Sequence, residues 1–125
     1  MKLLLTLPLF ALLSFSNVQA QTAPAAPTKS TSAAAPATAQ FKTSAVCDMC
    51  KTRIEKSMAY EKGVQSAVLD VPTQMLTVTY RPEKTNPAAL RSAVQKTGYD
   101  ADDQVADARA YNRLPDCCKK TNAVH

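Results

Sequence analysis

Ala45-Val46-Cys47-Asp48-Met49-Cys50-Lys51-Thr52-Arg53-Ile54-Glu55-Lys56-Ser57-Met58 places two thiols three positions apart, at a point where the residue pattern changes period. Before it, Phe41 to Val46 reads as a short strand. After it, Ile54 and Met58 recur at the four-residue spacing of one helix face, while Lys51, Arg53, Glu55 and Lys56 turn mostly outward. Cys47 and Cys50 therefore stand at a helix start, where unpaired backbone N–H groups and the positive end of the helix dipole favour thiolate over thiol. A thiolate is both a metal ligand and a nucleophile, so the pair is expected to be reactive rather than inert core.

Downstream, the helix runs from Cys50 to Tyr60 and Gly63 ends it. Ala67, Leu69 and Val71 alternate on one strand, Pro72-Thr73-Gln74 form the turn, and Leu76, Val78 and Tyr80 alternate on the next until Pro82 stops it. Asn86 reads as an N-cap with Pro87 at the first helical position. Leu90, Ala93 and Val94 give this second helix one apolar face, and Gly98 closes it. The order is β, α, β, β, α, with Ile54, Leu69, Val78 and Leu90 expected between sheet and helices.

Upstream, residues 1–20 read as a secretory signal: Lys2 supplies the positive start, Leu3 to Phe15 the apolar stretch, and Val18-Gln19-Ala20 a small-residue cleavage site. The apolar run is too short to span a bilayer comfortably, so an exported protein without stable membrane insertion is expected, in the periplasm or outside the cell. Residues 21–40 are almost entirely Ala, Pro, Thr, Ser and Gln and read as a tether that cannot bury enough surface to order itself. That leaves one small domain over 41–104 and an extension over 105–125. Lys2 aside, fourteen basic residues face ten acidic ones, scattered rather than clustered, and there is no Trp. Such a surface offers no platform for nucleic acid, although mild positive charge can steer docking to an acidic partner.

Strand, Cys47-x-x-Cys50, helix, Gly63-Val64-x-x-Ala67, hairpin, helix and Gly98-Tyr99-Asp100 resembles the layout of the heavy-metal-associated domain, over about Phe41 to Ala101. The resemblance implies an α+β fold, the ferredoxin-like βαββαβ open-faced sandwich, with two helices on one face of an antiparallel sheet and the cysteine loop at one exposed end. It places Cys47 and Cys50 on the family's metal ligands and Tyr99 where bacterial copper chaperones often carry a tyrosine beside the loop. Two departures stand out. Ser44-Ala45-Val46 replaces the usual Gly-Met-Thr-like triplet, putting Ala45 where an inward Met is expected, with Met49 either filling that space or facing solvent beside the metal. Asp100-Ala101-Asp102-Asp103-Gln104 is too acidic for a full fourth strand, which is expected to be short or absent.

Beyond it, Val105, Ala108, Tyr111 and Leu114 suggest an added amphipathic turn or two of helix, ended by Pro115 and followed by Asp116-Cys117-Cys118-Lys119-Lys120. The family layout puts Tyr99 at the cysteine-loop end of the domain, so Cys117 and Cys118 are expected to fold back towards the loop, where they could add a third or fourth ligand, hand metal onward, or lock the first pair by disulfide exchange. A bridge between these two neighbours would be strained. His125, the sole histidine, reads as plain tail.

Soft thiolates select Cu(I), Hg(II) or Zn(II) over hard ions. Two sulfurs suit linear Cu(I) or Hg(II), and four would suit tetrahedral Zn(II). The favoured reading is a monomeric, non-enzymatic carrier of Cu(I), with Hg(II) or Zn(II) as alternatives, passing its ion to a metal-transporting membrane protein or another carrier. A thiol-disulfide oxidoreductase and a disulfide-stapled interaction module are the competing classes. With a single terminal histidine no nucleophile–base–orienter set can be assembled.

Overall fold

A computed structural model describes residues 35–125; the expected signal over 1–20 and most of the expected tether lie outside the described residues. Three strands and three helices follow in the order β1 (Ala37–Lys42), α1 (Asp48–Ala59), β2 (Val64–Asp70), β3 (Met75–Tyr80), α2 (Pro87–Thr97) and α3 (Ala108–Asn112), with a 3₁₀ turn at Asp116–Cys118. The sheet is antiparallel in the order β1-β3-β2. Phe41 and Leu69 both lie opposite Leu76, and Ala39 and Ala67 both lie opposite Val78, so one sheet face is apolar throughout. Ile54 and Met58 from α1 and Leu90, Ala93 and Val94 from α2 cover that face, and all four expected core residues are buried.

The helix signals worked as local chemistry predicts. The Asn86 side chain accepts from the Ala89 N–H at 3.0 Å, Pro87 opens α2, and Gly98 closes it in the left-handed region with φ +102°. Gly98 has a second duty, because a Cβ there would lie 3.0 Å from the Ala110 backbone of α3 and 3.2 Å from Leu114. Its missing side chain is what lets the extension pack against the end of α2.

Three boundaries differ from the reading above. β1 begins at Ala37, inside the stretch read as tether, because Ala37 to Gln40 pair with Tyr80 to Thr77; small residues suffice where the partner strand supplies the bulk. β1 also ends at Lys42, and Thr43 to Val46 become a loop, tied down where Thr43 N–H donates to the Gln74 carbonyl at 2.9 Å. The fourth strand is reduced to isolated bridges of Ala101 with Thr43 and with Gln104. Asp102 takes its place. It accepts from the Lys42 N–H at 2.9 Å, donates its own N–H to the Lys42 carbonyl at 2.8 Å, and pairs with Arg91 at 2.7 Å.

The extension is helical but turned differently from the expectation. Asp107 caps α3 by accepting from Ala110 N–H at 2.8 Å, which starts the helix after Val105. Val105 is therefore 67% exposed and Ala108 is exposed, while Ala110 and Leu114 form the buried side with Tyr111 half-buried. Gln95 of α2 fastens the segment at both atoms, its side chain donating to the Val105 carbonyl and its carbonyl accepting from Asp107 N–H.

Candidate metal centre

Cys47 is the N-cap residue of α1, in extended conformation, and Cys50 lies within its first turn. Their Sγ atoms are 3.2 Å apart. The loop that presents them is braced by the β2–β3 turn: Gln74, at φ +59°, turns its side chain to donate to the Ala45 carbonyl at 2.7 Å. Nothing in the local sequence marked Gln74 for this work, since its partner is 29 positions away. Ala45 is fully buried, and Met49 does not fill the space beneath the loop; it is 50% exposed at the rim.

The extension closes on this loop. After Pro115 the 3₁₀ turn brings Cys118 Sγ to 3.8 Å from Cys47 Sγ, and the sulfurs of Cys47, Cys50 and Cys118 all lie within 4.8 Å of one another. Cys118 is 0% exposed. Its neighbour is not part of the cluster: Cys117 is exposed, with its Sγ 4.0 Å from Cys118 and 3.9 Å from the Met49 sulfur. Consecutive residues in a tight turn point different ways, so the sequence pair splits into one inner and one outer thiol. Lys120 pairs with Asp100 at 3.0 Å, Lys119 donates to the Tyr111 carbonyl, and the His125 N–H donates to the Val46 carbonyl at 2.8 Å, holding the segment against the loop. The His125 ring stays outside the cluster, exposed and beside the Ala123 carbonyl.

Tyr99 forms the floor. It is fully buried, and its hydroxyl is, among the described residues, the buried side-chain polar atom that lacks a hydrogen-bond partner of ordinary geometry. Burial first, and then the Cys50 and Cys118 thiols, push its ionisation up, so it stays a neutral phenol beside the sulfurs. An O–H without an ordinary acceptor, beside the Cys50 and Cys118 sulfurs, suits a centre that gathers negative charge on its thiolates.

The three inner thiols differ in acidity. Burial pushes Cys50 up, but hydrogen bonds involving the Val46 backbone and the Cys47, Tyr99 and Cys118 side chains outweigh it, and its net shift is downward. Cys47 is shifted up, by burial first and then by Cys50. Cys118 is pushed up to about 12 by burial and by the Cys50 side chain. The expectation that both loop thiols become acidic thus holds for Cys50 alone, because the cluster accommodates one thiolate more readily than three. A soft cation held by these sulfurs would remove that limit, taking the place of the protons, which would pass to water.

Residues 41–100 match the heavy-metal-associated domain family. A copper-exporting P-type ATPase of Staphylococcus epidermidis is 36% identical over 67 residues, which is 54% of this chain and 8% of the relative, so the chain spans less than a tenth of the curated relatives it matches. Among solved structures, a CopZ metallochaperone superposes with a TM-score of 0.50 at 23% identity, covering 52% of this chain and 98% of that one. The N-terminal domain of a potential copper-translocating P-type ATPase from Bacillus subtilis, in the Cu(I)-loaded state, is 32% identical over 52% of this chain and 82% of its own, with a TM-score of 0.49. The family match, the βαββα order and the paired thiols at the start of α1 agree: residues 41–100 of this chain form a heavy-metal-associated domain.

Proposed function

We propose that the protein is an exported, non-enzymatic carrier that holds one soft metal ion on Cys47 and Cys50 and releases it to a partner by thiolate exchange. The observation that carries this reading is the pair of sulfurs 3.2 Å apart at the start of α1, on the loop that also carries the exposed Met49. Thiolate donors select Cu(I) or Hg(II), and Cu(I) is the favoured cargo because the relatives are copper-exporting ATPases. Zn(II) is less well served, since a tetrahedral four-sulfur site would need Cys117, which faces outward. The receiving partner is a metal-transporting membrane protein or a second carrier. Export rests on Lys2, the apolar Leu3 to Phe15 and the Val18-Gln19-Ala20 cleavage pattern. Among the described residues no helix is long and apolar enough to cross a membrane.

Titration of the reduced protein with Cu(I) against a chromophoric chelator tests the reading. One equivalent should bind tightly, and the double variant Cys47→Ser, Cys50→Ser should lose that binding. Unchanged affinity in the double variant would remove the site.

A further inference from the structure

We propose that Cys118 is a third inner ligand, so that the carrier binds its ion in a trigonal three-thiolate site closed by its own C-terminal segment; this rests on the carrier reading above. Sulfur spacing is the first argument. An ion about 2.3 Å from each of three sulfurs holds them about 4 Å apart, whereas a linear two-sulfur ion needs about 4.6 Å. Cys47 and Cys50 stand at 3.2 Å, and Cys47 and Cys118 at 3.8 Å, with all three within 4.8 Å. The cluster is already close to trigonal spacing, while linear coordination would require the loop pair to spread by more than an ångström.

Burial is the second argument. Cys118 is removed from solvent as completely as Cys50 although it lies on a three-residue turn at the molecule's edge, and three separate fastenings hold it there: Lys120 to Asp100, Lys119 to the Tyr111 carbonyl, and His125 N–H to the Val46 carbonyl. A merely structural thiol would need none of this convergence on two other sulfurs. The Tyr99 hydroxyl, buried without a conventional partner, lies beside Cys50 and Cys118 of the same group.

On loading, bonds form from the ion to the Cys47, Cys50 and Cys118 sulfurs, and each thiol that was protonated gives its proton to water. On release a partner's thiolates displace them one at a time, and the vacated sulfurs take protons back; no electrons are transferred. With the segment in place Cys47 and Cys50 are both buried, and Cys118 Sγ lies 3.8 Å from Cys47 Sγ. Cys117 and Met49, exposed and 3.9 Å apart at the mouth, stand outside the inner set.

The test is X-ray absorption on the full chain loaded with one equivalent of Cu(I) under a phosphine reductant, so that no added thiol can ligate. The wild type should show three sulfurs, Cys118→Ser two, and Cys117→Ser three; Cys118→Ser should also weaken Cu(I) binding at least about tenfold, as loss of even outer-shell partners does at metal sites. Two sulfurs in the wild type would overturn the proposal without recourse to any variant, as would three sulfurs retained in Cys118→Ser. Loss of all binding in Cys47→Ser, Cys50→Ser leaves the carrier reading standing whichever way the sulfur count falls. Binding retained there would remove the carrier reading itself.

Discussion

Cys118 shows how much a single side chain depends on where the chain takes it. Unfolded it titrates near 9.0, and in the cluster at about 12. As the pH climbs past the lower value, the unfolded chain sheds a proton that the folded chain keeps, so a raised thiol stabilises the fold below its ordinary range and loses that contribution as the pH rises. Cys47 acts in the same direction and Cys50 in the opposite one. Reduced, metal-free protein should therefore lose melting temperature from about pH 9 to about pH 12, and Cys118→Ala should lose less over the same interval. Thermal melts across that range decide the point; parallel curves for the two proteins would assign the loss to other groups.

At the scale of elements, α2 is held by agreement between its local signals and its packing. Asn86 and Gly98 set its ends, while Leu90, Ala93 and Val94 lie against α1 and the sheet. Leu90 is 1% exposed, so Leu90→Ala should cost about 2 to 5 kcal/mol, the range for opening a cavity in a core. Denaturant unfolding measures it, and a change below about 0.5 kcal/mol, as for a surface position, would contradict the packing described. β1 depends on its surroundings more heavily. Ala37 to Gln40 have little strand preference of their own and become a strand because β3 offers an open edge with matching register.

For the molecule as a whole, Asp100 joins the domain to its extension. Its N–H donates to the Ser44 hydroxyl at 2.9 Å, and its carboxylate accepts from Ala106 N–H at 2.8 Å and pairs with Lys120. Asp100→Ala should free the segment that carries Cys118. In metal-free protein treated with iodoacetamide, Cys117 should react first and Cys118 stay protected; in Asp100→Ala, Cys118 alkylation should accelerate by about tenfold, the worth of one charge-assisted hydrogen bond. Peptide mapping reads both sites at once, and equal Cys118 rates in the two proteins would show that the segment is held by its other contacts.

Much of this protein was legible before any coordinates, for a physical reason: period-two and period-four apolar patterns, Asn86, Pro87 and Gly98, and the Cys47-x-x-Cys50 spacing are local codes, each readable within a few residues. They determined the βαββα order, the core and the placing of the two loop thiols. The reach of β1 back to Ala37, the replacement of a fourth strand by Asp102, and the rotation of α3 that exposes Val105 were set by partners far along the chain. The same holds for the fourth and third cysteines. Sequence showed Cys117 and Cys118 as an undivided pair that the family layout could bring back to the loop, but which sulfur enters is decided by the turn after Pro115 and by contacts to Asp100, Tyr111 and Val46. Only the tertiary structure turned Cys118 inward and left Cys117 outside, because side-chain direction in an irregular turn is fixed by what the turn packs against.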